Sequence, residues 1–154
     1  MRAGALAAVC ALGTLGGLAV ANAQDSAATE AVKARQASFK KVGAASKAIH
    51  QELRTSSADA AKLHTAAVEI EHAASVLESW FPRGSGPEAG IKTNARATIW
   101  TDAAGFSAAR VAFAREADNF LKVLDGKSDT AALNDAAAAL AKSCRNCHED
   151  YRRD

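Results

Sequence analysis

The chain has 154 residues, room for one domain with its own core rather than two. Alanine supplies much of the 49% hydrophobic content, aromatics only 5%, and there are two prolines, so the expected fold is all-α around a thin core that a bulky apolar cofactor would help to fill. The net charge of +2 comes without a basic stripe or tail, which argues against a nucleic-acid partner.

Residues 1–23 read as a cleaved secretory signal rather than as part of the fold. Arg2 supplies the positive start, Ala3 to Val20 the apolar stretch, and Ala21-Asn22-Ala23 a small-x-small cleavage site before Gln24. Cys10 follows Val9, lacks a lipoprotein context and leaves with the signal. The domain is then 24–154, with a net charge of +1, exported to the periplasm and without stable membrane insertion after cleavage.

Four segments carry apolar residues at alternating steps of three and four. The first spans about Ser26–Arg54, with Val32, Arg35, Phe39, Val42, Ser46, Ile49 and Leu53 on its seam. The second starts near Ser57 as N-cap, runs through Leu63, Ala67, Ile70, Ala74, Leu77 and Phe81, and stops at Pro82. The third runs from about Thr98 to Asp125 through Ile99, Ala103, Phe106, Arg110, Phe113, Ala117, Phe120 and Leu124, with Gly126 as its stop. The fourth opens near Asp129 or Thr130 and carries Leu133, Ala137, Leu140, Cys144, Cys147 and Tyr151. Short gaps at 55–57 and 126–129 force antiparallel neighbours, and one long loop joins helices 2 and 3. An antiparallel four-helix bundle is expected.

Cys144-Arg145-Asn146-Cys147-His148 is a C-x-x-C-H motif, the attachment sequence of c-type haem. Residues three apart share a helix face, so two thiols can add to the two vinyl groups of one haem. His148 follows directly and can bind the iron. Export agrees, since bacterial haem c is attached outside the inner membrane. A structural zinc site usually needs two such pairs, a redox pair needs a helix N-terminus, and a disulfide at this spacing within a helix is strained.

The chain has one methionine, Met1, so no sulfur ligand is left for the second face of the iron. His50, His64 and His72 lie off the seams, and lysines are the other nitrogen donors. Phe39 on the first seam cannot coordinate. It would leave a five-coordinate, high-spin iron in an apolar crevice that admits NO and CO and offers bound O₂ no hydrogen bond.

With these residues in view, the sequence resembles cytochrome c′, the class II c-type cytochromes. The resemblance rests on Cys144 to Arg152, on Ala31-Val32-Lys33-Ala34-Arg35-Gln36, on Trp80-Phe81-Pro82-Arg83-Gly84-Ser85, and on Thr93-Asn94-Ala95 leading to Ile99-Trp100-Thr101-Asp102. It implies one covalent haem c per chain. It implies that Arg35 pairs with a haem propionate, through charge-assisted bonds that suit a guanidinium, with Gln36 nearby. It places Phe39 at the distal position, Thr93 and Asn94 near the haem edge, and Arg152 on the proximal side. The place of Arg35 on an otherwise apolar seam already points to a buried anion, the alternative being a snorkelling side chain at the rim, while Tyr151 and Trp100 read as core. Ala97-Thr98 stands where the family often has Pro-Glu, so the start of the third helix departs from the pattern.

Two functions compete. One is gas binding, with NO and CO as small-molecule partners. The other is electron transfer with a redox partner, including a low-spin, six-coordinate form with a nitrogen ligand. Peroxidase-like catalysis needs a distal acid–base group, which Phe39 is not, so no enzyme is expected. The resemblance also implies a homodimer through the first two helices, whose outer faces carry Ala44, Ala45, Ala60 and Ala61, although helix propensity alone accounts for these alanines.

Overall fold

Alanine-rich stretches with apolar residues three and four apart become five α-helices in the structure, a computed structural model that describes residues 16–153, with side chains from Ser26 onward. Residues 1–15, with Arg2, Cys10 and most of the expected signal, lie outside the described residues. Helix α1 spans Gly16–Glu52 and begins ten residues before the expected start at Ser26. Its backbone continues through alanine-rich sequence that favours helix whatever its fate, so Ala21 and Ala23 lie within its early turns.

Helix α2 covers Ala60–Val76 and is capped by Asp59, not by the expected Ser57. The Asp59 carboxylate accepts from Lys62 N and Ala61 N at 3.2 and 3.0 Å, and these bonds, that of Lys62 foremost, hold it below the usual carboxylate range. Glu52 accepts from Asp59 N across the turn and fixes this later start. At its other end α2 does not run on to Phe81 as an α-helix. It tightens into a 3-10 turn over Leu77–Trp80 before Pro82.

The third helix is broken, where one continuous element was expected. Helix α3 is a single turn, Thr98–Thr101, and α4 runs Ala103–Asp125. Asp102 leaves helical geometry at φ −114°, ψ 64°, and its carboxylate accepts from Gly105 N at 3.0 Å and from the Tyr151 hydroxyl at 2.9 Å. A Cβ at position 105 would collide with both groups, so glycine lets the three meet. Gly126 follows α4 but stays right-handed at φ −69°, and Lys127 takes the left-handed step at φ 51°. Helix α5, Thr130–Tyr151, is capped by Asp129 as expected.

The helices pack in the order α1–α2–α4–α5, and the side between α1 and α5 is not closed by a comparable backbone approach. The larger core joins Ile49 of α1, Leu63 and Ile70 of α2, Phe113 and Phe120 of α4, and Ala137 and Leu140 of α5. Ala45 belongs to this core and not to an outer face, whereas Ala44, Ala60 and Ala61 are exposed. A smaller cluster of Ala95, Ile99, Phe106 and Tyr151, with Phe81, Trp100 and Cys147 against it, fills the end crossed by the long loop. This is an all-α four-helix bundle, α3 and α4 forming its third arm.

Phe120 is fully buried at the centre of the larger core. Phe120→Ala is expected to lower the unfolding free energy by about 3–5 kcal/mol, measured by denaturant titration.

Candidate cofactor site

The last two turns of α5 carry Cys144, Cys147 and His148. Cys144 packs against the larger core and Cys147 against the smaller one, and both are free thiols. Burial pushes both thiols up. That of Cys147 reaches about 11, with the charges of Cys144 and Asp150 adding to the effect. A thiolate is disfavoured there, while an uncharged thioether would lose nothing. The His148 imidazole is pushed below its ordinary value by burial and by nearby Arg152. Arg152 Nη1 lies 3.4 Å from His148 Nδ1, which leaves Nε2 as the ring nitrogen for a metal.

This end of α5 is tied to the segment that enters α3. Arg96 N donates to Tyr151 O at 2.9 Å, Arg153 N to Asn94 O at 2.7 Å, and Thr98 Oγ1 to Asp150 O at 2.9 Å. Ala95 and Arg152 pair as an antiparallel bridge. Asn94 thus acts through its carbonyl.

Aromatic rings lead from α1 to α5. Phe39 meets Trp80 edge-on at 5.1 Å and Phe81 at 6.2 Å, Phe81 meets Phe106 at 5.1 Å, and Phe106 meets Tyr151 at 5.2 Å. Phe39 keeps 37% of its surface exposed despite its place on the apolar seam. Trp100 is half-buried and its Nε1 donates to Phe81 O and Pro82 O, which fastens the loop.

Arg35 is not a rim residue: only 3% of it is exposed. Its Nη1 donates to Trp80 O and Ser85 Oγ, and its Nη2 to Ser85 O and Thr93 Oγ1, at 2.9–3.2 Å. Its guanidinium also lies 4.7 Å from the centre of the Phe81 ring. Gln36 reaches the same loop at Lys92 O. Every hydrogen-bond acceptor of Arg35 is neutral, and none of the ion pairs among the described residues includes it. Burial lowers its pKa, yet a guanidinium keeps its charge at neutral pH.

The structure therefore brings Arg35 and Thr93 into direct contact, bonds Gln36 of α1 to the loop that carries Asn94, and groups Cys144, Cys147 and His148 on α5 with Arg152 as its C-cap. His50, His64 and His72 are exposed, and His64 faces Asp125 at 3.5 Å. Ser85, Asp102 and the Tyr151 hydroxyl were missed as organising groups. Only Asp102 carried a local signal, as an N-cap type of residue before an apolar run.

The residues fit a covalently attached haem. Two thiols in apolar surroundings suit thioethers, an accessible imidazole one residue past the second thiol suits the iron, rings suit the porphyrin faces, and a buried cation without a carboxylate suits a propionate.

Comparison with known proteins agrees. The family model described as Cytochrome C' matches residues 30–152. The cytochrome c' of Pararhodospirillum photometricum is 40% identical over 91 residues, covering 56% of this chain and 70% of that protein. The solved cytochrome c prime from Shewanella frigidimarina superposes with a TM-score of 0.73 at 28% identity, over 82% of this chain and 97% of that one. A nitric oxide complex of a cytochrome c prime mutant from Alcaligenes xylosoxidans has a TM-score of 0.73 at 23% identity, with the same two coverages.

Two outcomes follow from this geometry. In haem-free protein, alkylation of Cys147 by iodoacetamide should lag that of a free cysteine near pH 9 and catch up only towards pH 11, read by mass spectrometry against pH. Arg35→Leu leaves buried carbonyl and hydroxyl groups without their donor, so it should cost about 2–4 kcal/mol of stability and speed proteolysis between 82 and 97.

Proposed function

The chain belongs to the cytochrome c′ family, and from that premise we propose that it is an exported, periplasmic gas-binding and electron-transfer protein with a five-coordinate, high-spin haem. The family itself implies covalently bound haem c. The observation that carries the proposal is that Cys144 and Cys147, with His148 beside them on α5, pack against the clusters joined by the aromatic path that starts at Phe39. When bound, haem c supplies an iron that changes charge by one electron and takes up a diatomic ligand. Cys144 and Cys147 hold it covalently, one haem per chain, and His148 provides one nitrogen ligand. Arg35 offers its buried charge to a propionate, with Gln36, Thr93 and Asn94 fixing the loop beside it. Arg152 stands on the His148 side.

Phe39 supports the open sixth position, because its ring gives the iron no donor atom. The exposed positions of His50, His64 and His72 speak against a low-spin form with one of them as ligand. The nitric oxide complex of the Alcaligenes relative supports NO as a ligand. No helix among the described residues is long and apolar enough to cross a membrane, which agrees with a free domain after removal of residues 1–23. No enzymatic turnover is proposed, since Phe39 brings no acid–base group. A homodimer through the outer faces of α1 and α2 belongs to the same reading.

Optical spectra test it. Ferric protein should show a five-coordinate, high-spin spectrum, and CO should shift the Soret band of the ferrous form. A six-coordinate, low-spin spectrum unaltered by CO would overturn the open site. His148→Ala should abolish the native spectrum while the haem stays covalently bound.

A further inference from the structure

Arg110 lies on the inward seam of α4, between Phe106 one turn before it and Phe113 one turn after it. Phe106 belongs to the cluster that Cys147 touches, and Phe113 to the core that Cys144 touches. Arg110 therefore stands at the level of the two thiols along the bundle. Its guanidinium bridges inside and outside. Nη2 donates to the exposed Glu78 carboxylate at 2.9 Å, while Cζ lies 5.8 Å from the centre of the Phe106 ring. Its Nε–H is fully buried and has no hydrogen-bond partner, the one such side-chain atom among the described residues.

An N–H removed from water without an acceptor destabilises a fold. The seam neighbours, both phenylalanines, offer none, and Glu78 is engaged at the other end of the guanidinium. We infer that Arg110 Nε–H is a donor to the loaded cofactor, meeting either a carboxylate at the porphyrin edge or the polarised outer atom of a diatomic ligand at the iron. This rests on the haem reading above. A cation at that level favours the ferrous iron, and it polarises a diatomic towards its outer atom.

The test uses haem-loaded Arg110→Leu, Arg110→Lys and Glu78→Gln, each compared with the unaltered protein by redox titration and by the infrared stretch of bound CO. Arg110→Leu should raise the ferric-to-ferrous ratio at a fixed potential by on the order of tenfold. Arg110→Lys should restore most of that ratio, and Glu78→Gln, which keeps the guanidinium, should change it far less. A CO stretch that also moves in Arg110→Leu identifies the iron-bound diatomic as the acceptor. A changed ratio with an unmoved stretch identifies the carboxylate. If Arg110→Leu does not fold, Arg110→Met removes both the charge and the N–H while its unbranched chain still reaches the Nε position, and it is read in the same way. A ratio and a stretch both equal to the unaltered protein's overturn the inference, and an intact Soret band in that variant leaves the haem reading standing. Absence of haem from the unaltered protein would instead defeat that reading.

Discussion

The structure depends on how the last turn of α5 is fastened. Tyr151 O, Asp150 O and the backbone of Arg153 are bonded to the stretch 94–98, and the Tyr151 hydroxyl is bonded to Asp102, the cap of α4. These bonds fix α5 against the loop and the third arm together. Cys147, four residues before Tyr151, is then partly buried against the smaller cluster, and Cys144 packs against the larger core one turn earlier. A helix end that frayed here would lose the common orientation of both thiols and His148.

The second fixed point is Arg35. Its four bonds hold the loop from 80 to 93 onto α1, so that Trp80, Phe81 and Phe39 meet at one end of the bundle. A buried cation served by neutral oxygens alone is costly unless a negative group completes it. The same reasoning makes the bare Nε–H of Arg110 informative, since both arginines lie beside rings of one aromatic path. A fold low in aromatics thus gathers Phe39, Trp80, Phe81, Trp100, Phe106 and Tyr151 at the end where the thiols are. Alanines pack the remainder, because small side chains let the helix backbones approach.

Much of this was legible in the chain. The steps of three and four placed the bundle arms, and the C-x-x-C-H motif named its cofactor because that chemistry needs those atoms at that spacing. Arg35 stood out as a charge on an apolar seam. What escaped were features set by tertiary contact. Asp59 displaced Ser57 as a cap because Glu52 reaches across the turn to its N–H. The third arm broke because Asp102 answers both Gly105 and a tyrosine far along the chain. Ala45 read as surface, since alanine carries no periodic signal to set it apart from its exposed neighbour Ala44. Lys127, not Gly126, took the left-handed step, since Gly126 N could still bond back to Lys122 O.

The most direct measurement is the intact mass of the chain secreted by a host that attaches haem c, taken after denaturation so that only covalent groups remain. The expected mass is that of residues 24–154 plus one haem, with the addition lost when Cys144 and Cys147 are both changed to alanine. A mass equal to bare polypeptide would contradict the covalent attachment on which the site is built.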